Sequence, residues 1–164
     1  VLAGEWQDAR ESLEVALALG RTRQAARFLD AYYLAAFAEA HLGLRDVQGA
    51  REFAEQAIAT ASRMQMPVAE VQAQIARARV ELTQNGADAR SEIEATLDRA
   101  QALVRSTSAR SYEPQIHVER ARLAGLRSAA PGGERWPGEA HRLFTEMGAT
   151  GHAERVGLLL AAPG

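Results

Sequence analysis

Two kinds of apolar stripe alternate along this chain, and each returns at a nearly constant interval. Ala9-Arg10-Glu11-Ser12-Leu13 with Ala16-Leu17 returns 41 residues later as Ala50-Arg51-Glu52-Phe53-Ala54 with Ala57-Ile58. Ile93, Leu97 and Ala100 follow 43 residues on, and Ala140, Phe144 and Met147 a further 47. The second kind lies between these copies: Tyr33, Ala36 and Ala40 match Ile75, Ala78 and Leu82 at an offset of 42, and Arg77-Ala78-Arg79 recurs as Arg120-Ala121-Arg122 at 43. A lone helical hairpin cannot bury both of its stripes, so this pattern predicts a stack in which each hairpin is sealed by the next. The expected fold is all-α: stacked antiparallel helical hairpins, about eight helices in all.

Local punctuation sets the expected boundaries. The first helix carries Trp6, Ala9, Leu13, Ala16 and Leu17 at spacings of three and four and is stopped by Gly20. The second runs over 22–43, and Asp46 then stands where an N-cap belongs. Pro67 opens the fourth, which Asn85-Gly86 closes as a left-handed cap. Pro114 is tolerable only in the first turn of a sixth helix that starts at Ser111 or Glu113. Ala129 to Gly138 is a loop rich in Gly and Pro. The units are 1–20 (partial), 22–66, 67–108 and 111–148, with a terminal helix over 150–161, all within one domain spanning 1–164. The dense aromatic group Phe28, Tyr32, Tyr33 and Phe37 is read as core filling.

Composition agrees and removes several function classes. Thirty-five alanines, few β-branched residues and 5% aromatics favour helix over strand. The net charge of -2 is scattered, with no basic block to cover a run of phosphates, which argues against nucleic-acid binding by this segment. All 19 basic residues are Arg; without lysine there is no Walker-type phosphate loop and no Schiff-base nucleophile. The same Ala and Arg excess beside a single Asn, Asn85, reads as the codon bias of a GC-rich bacterial genome. Lack of cysteine removes disulfides and thiolate chemistry and agrees with a cytoplasmic setting. No apolar run approaches the ~20 residues of a membrane span, so no membrane partner is expected.

The run Ala9, Leu13, Ala16, Leu17, repeated as Ala50, Ala54, Ala57, Ile58, resembles the second helix of tetratricopeptide repeats, where small residues let helices approach and larger ones fill the gaps. The resemblance implies a right-handed solenoid. The interval here is longer than that family's ~34 residues and nearer the ~40 to 47 of armadillo and HEAT arrays. The first helix is of the second type, which implies that the array begins upstream of Val1, itself not a methionine. The tail, Glu139-Ala140-His141-Arg142-Leu143-Phe144-Thr145-Glu146-Met147-Gly148-Ala149 with His152-Ala153-Glu154-Arg155, is similar to the C-terminal end of bacterial signalling ATPase regulators. There a class III cyclase or LuxR-type DNA-binding domain accompanies a nucleotide-binding domain and a helical-repeat region. That resemblance implies that any such chemistry lies in other domains.

Candidate sites are few. The four imidazoles, His41, His117, His141 and His152, never fall at i, i+3 or i+4, and no HExxH occurs, so no metal site and no cofactor is expected. Ala130-Pro131-Gly132-Gly133 lacks the strand and helix context of a phosphate cradle. Glu11, Glu14, Glu52 and Glu55 read as partners for residues one turn away, and Arg77, Arg79, Arg120 and Arg122 as long stems over apolar flanks with wet head groups. No catalytic residue can be picked out. The family geometry implies a concave face presenting Leu34, Ala38, His41 and Leu42, then Ala76, Val80, Thr83 and Gln84, then Ile116, Glu119, Leu123 and Leu126. Leu34, His41, Leu42, Val80, Thr83, Gln84, Glu119 and Leu123 are therefore the candidate partner-binding residues, against the competing reading that they are ordinary helix contacts.

The expected function is a non-catalytic interaction or regulatory scaffold, the C-terminal part of a larger bacterial signalling or transcription regulator. It would bind a protein segment or a neighbouring domain of its own chain. Two alternatives stand beside it: a homo-oligomerisation module, and a small α-helical enzyme with a pocket between helices.

Overall fold

The computed structural model describes residues 3–23, 29–125 and 135–161, and among them all regular structure is helical. The α-helices are α1 (Ala3–Arg23), α2 (Asp30–Gly43), α3 (Val47–Arg63), α4 (Pro67–Asn85), α5 (Arg90–Thr107), α6 (Glu113–Gly125), α7 (Arg135–Glu146) and α8 (Thr150–Ala161). Short 3-10 turns at Gly86–Ala89 and Arg110–Tyr112 precede α5 and α6. Residues 129–134 of the expected loop, including Ala130 to Gly133, lie outside the described residues, as do Leu126 and Phe28. No helix among the described residues is long and apolar enough to cross a membrane.

Three corners are built alike. After α2, the amide of Asp46 donates to the carbonyl of His41 at 2.9 Å and that of Arg45 to Leu42 at 3.0 Å. After α3, Met66 donates to Ala61 and Gln65 to Ser62; after α7, Ala149 donates to Phe144 and Gly148 to Thr145. This is the Schellman pattern, which satisfies the last carbonyls of a helix by turning one residue left-handed. Arg45, Gln65 and Gly148 are those residues, with φ of 65°, 52° and 70°. At the first two corners the next residue already caps the following helix. The Asp46 carboxylate accepts from the amide of Gly49 at 2.9 Å, and Met66 precedes Pro67 at the first position of α4.

Four boundaries differ from expectation. Helix α2 begins at Asp30 and not at 22, and α7 begins at Arg135 inside the expected loop, with Pro137 in its first turn where proline is tolerated. Gly20 does not stop the first helix, which continues to Arg23; a glycine inside a helix costs only about 1 kcal/mol relative to alanine, too little to end it without a competing cap. Gly86 does follow Asn85 with a positive φ of 55°, but its ψ of -131° lies outside the left-handed helical region, and a 3-10 turn separates α4 from α5.

Consecutive helices pack on one another, and α4 also touches both α2 and α6. Alanines make this possible. Ala35, Ala50, Ala57, Ala73 and Ala76 are fully buried where α2, α3 and α4 meet, so the backbones approach closely. Larger side chains fill the next layer, where Val71 and Ile75 of α4, Ile93, Leu97 and Val104 of α5, and Ile116 and Leu123 of α6 form one cluster. Ala140, Phe144, Ala153 and Val156 join α7 to α8, with Val118 of α6 packed against them.

Candidate functional site

A groove of about 740 Å³ opens along the helices that touch α4 and is closed at its far side by α7 and α8. Trp6 of α1 and Glu39, Leu42 and Gly43 of α2 form one end. Arg79, Leu82 and Thr83 of α4 form the middle, followed by Gln115, Val118, Glu119 and Arg122 of α6. Phe144 of α7 and His152, Arg155 and Val156 of α8 complete the other end. Helices α2, α4, α6 and α8 each contribute residues three or four apart, which is one helical face.

The floor is ionic. Arg79 donates Nε–H to Glu119 at 2.7 Å and Nη1–H to Glu39 at 2.5 Å, so one guanidinium joins α2, α4 and α6. Glu119 is fully buried, while the Arg79 and Glu39 side chains keep 24% and 28% exposure at the groove surface. Arg122 supplies a second donor to Glu119 at 3.1 Å. Burial pulls the Arg79 pKa down, but the adjacent carboxylates of Glu119 and then Glu39 more than reverse this and hold it above the usual arginine range. The expectation that Arg79 keeps a wet head group over an apolar flank is therefore corrected: its guanidinium is held by the carboxylates of Glu119 and Glu39 in charge-assisted hydrogen bonds.

At the α8 end, His152 stacks on Phe144 with ring centroids 4.9 Å apart. Its Nδ1 lies 3.1 Å from Arg155 Nη2. Arginine can only donate, so this nitrogen is the acceptor.

Three candidate residues, Leu42, Thr83 and Glu119, line the groove, but Glu119 is wholly buried beneath Arg79 and Arg122 and so is closed to a partner, which corrects that expectation. The other candidates do not line it. Leu34, Val80 and Leu123 are 7%, 1% and 3% exposed, packed between helices, and so closed to a partner in this arrangement. His41 lies between Phe37 and Phe53 and hydrogen-bonds Asp46 at 2.7 Å, and Gln84 is exposed outside the groove. Among the aromatic group, Phe37 is buried as expected, though its stacking partner is Phe53 at 5.0 Å. The reason for the miss is rotational: Arg79, Arg122 and Gln115 each neighbour a predicted residue, Val80, Leu123 and Ile116, and one residue is about 100° around a helix. Apolar stripes are consumed by packing, which leaves the polar flank facing the groove. The doubled arginines at an offset of 43 were the available signal.

Elsewhere, Arg51 pairs with Glu55 at 3.1 Å and Arg10 with Glu14 at 3.7 Å, while Glu11 and Glu52 accept from Gln7 and Gln48, all one turn apart. Among the described residues no group of three His, Asp or Glu side chains is placed to hold a metal ion. No family model, curated protein or solved structure matches the chain, and the groove's own geometry is what bears on its role.

Proposed function

We propose that this chain is a non-catalytic interaction scaffold, a tetratricopeptide-like stack of helical hairpins whose groove holds a segment of another protein or of a neighbouring domain. The observation that carries this reading is the groove itself. It draws residues from six helices between Trp6 and Val156 and combines apolar with charged side chains, as a surface for a peptide segment does. Contact of α4 with both α2 and α6 supports the stacked arrangement. The two groove carboxylates, Glu39 and Glu119, are each tied to Arg79, which favours a structural role over acid/base work. A cytoplasmic bacterial regulator is the setting that the tail resemblance and the cysteine-free sequence support.

Selection of a random peptide library displayed on phage against the chain tests the reading. Peptides should enrich, and Thr83→Trp, which fills the groove at an exposed position, should abolish their binding without changing the circular dichroism spectrum. No enrichment, or binding indifferent to Thr83→Trp, removes the groove from consideration.

A second reading, self-association, is favoured by Val15 on α1 and Leu158 on α8, which are 60% and 72% exposed. Light scattering across concentrations should then show a dimer that Leu158→Glu disperses.

A further inference from the structure

The groove is electrically uneven, and the excess lies on one side. Glu39 and Glu119 face three guanidinium groups, those of Arg79, Arg122 and Arg155. Arg79 is committed to both carboxylates, and Arg122 shares Glu119 with it. Arg155 contacts His152 through a nitrogen that accepts, so that contact brings it no negative charge. Positive charge therefore exceeds negative where α6 faces α8, beside the apolar surface of Val118, Phe144 and Val156. The Arg122 side chain, 54% exposed, keeps donors available beyond its bond to Glu119.

We propose, resting on the scaffold reading above, that the α6–α8 side of the groove selects a peptide segment carrying an Asp or Glu side chain between apolar residues, with Arg122 and Arg155 engaging the carboxylate. Guanidinium groups match a carboxylate geometrically and attract it over the distances that govern encounter. A phosphate group fits less well. Its charge of about -2 would exceed the single surplus cation. A small free acid would leave the Trp6 and Leu42 end unfilled, whereas a segment spans it.

The test uses the phage selection and its synthetic products. Enriched peptides should carry Asp or Glu flanked by apolar residues. A fluorescein-labelled winner should lose about tenfold in affinity, measured by anisotropy, when its acidic residue is changed to the amide. Arg155→Glu, at an exposed position, should weaken the acidic peptide by a similar factor and the amide form by markedly less. Arg122→Ala also removes a partner of the buried Glu119, so Arg155→Glu is the deciding variant. Neutral or basic winners, or an amide peptide that binds as well as the acid, overturn the proposal while leaving the scaffold reading intact. Full competition by millimolar succinate would transfer the site to a small acid and overturn the peptide assignment. Absence of any Thr83→Trp-sensitive peptide defeats both readings together.

Discussion

Arg79 on α4 and Glu119 on α6, forty residues apart in sequence, form a charge-assisted hydrogen bond of 2.7 Å whose acceptor is wholly removed from water. Removing Arg79 leaves the buried Glu119 carboxylate with only the longer Arg122 contact, so Arg79→Met should destabilise the chain by about 3 kcal/mol. For a chain of this size that is a fall in Tm of roughly 6 to 12 °C. Adding Glu119→Leu should cost much less than the two single changes summed, since the stranded carboxylate is gone. Thermal melts of the singles and the double check this, and strict additivity would show that the pair is not coupled.

Gly43 closes α2 against the face of Trp6. A β-carbon at Gly43 would overlap the indole ring atoms Cγ, Cδ2 and Cε2, none of which is the flexible end of a side chain. Gly43→Ala gains some helix propensity, about 0.5 to 1 kcal/mol, but overpacking of about 1 to 3 kcal/mol should win. In a Trp136→Phe background the emission of Trp6 should shift to the red as the ring is displaced. Unchanged emission would mean that the contact is not maintained in solution.

The cap of α3 gives a pH signature. The amide of Gly49, and after it His41, holds the Asp46 carboxyl below its ordinary range, against a smaller opposing effect of burial. A group whose folded pKa is depressed contributes stability that is present above its unfolded value, about 3.9, and is lost as pH falls through the lower folded value. Asp46→Ala should cost about 1 kcal/mol at neutral pH, and the gap between it and the native chain should shrink on acidification below about pH 4. Denaturant melts from pH 7 to pH 2.5 read this directly; a gap that widens in acid contradicts it.

How far the residues disclosed the molecule depends on which force acted at each position. Helix existence was readable because Ala and Leu recur at three and four, and Asp46 and Pro67 were readable because each satisfies or tolerates a free helix end for a local reason. Gly20 misled because its penalty is small beside helix continuation. The groove was only half readable. The family geometry implied Leu42 and Thr83, which line the groove, but equally Leu34, Val80 and Leu123, which belong to the stripe that packing consumes. Arg79 could not be assigned from its neighbours at all. Its burial depends on two carboxylates forty residues away on either side, which no local pattern encodes.

The repeated corners yield a gain rather than a loss. Arg45 and Gln65 hold positive φ where Gly148 stands at the equivalent corner. A side chain in that region costs about 1 to 2 kcal/mol, and glycine returns most of this at the expense of a more flexible unfolded chain. Arg45→Gly and Gln65→Gly should each stabilise by about 0.5 kcal/mol, read as a small rise in Tm. A fall in both would mean that these side chains make contacts worth more than the backbone strain.

Trp136 fastens α7 and α8 to the helices before them. Its ring lies against His117 of α6 at 5.3 Å, and the Arg120 guanidinium sits over it at 5.0 Å while also donating to Asp98 of α5 at 2.7 Å. One aromatic side chain at the start of α7 thus gathers contacts from α6 and, through Arg120, from α5. Trp136→Ala removes the apolar ring and the cation–π contact together, at a cost of about 3 kcal/mol. The loss should be local, because α7 and α8 share their own cluster of Ala140, Phe144, Ala153 and Val156, attached to α6 partly through Val118. Amide exchange in α7 and α8 should accelerate while that of α3, α4 and α5 stays slow, since opening of a terminal unit leaves the central layers intact. The same variant should weaken any ligand of the groove, whose far wall is Phe144, His152 and Val156. Uniform acceleration across all helices would show instead that the helices unfold as one unit and that α7 and α8 have no separate stability.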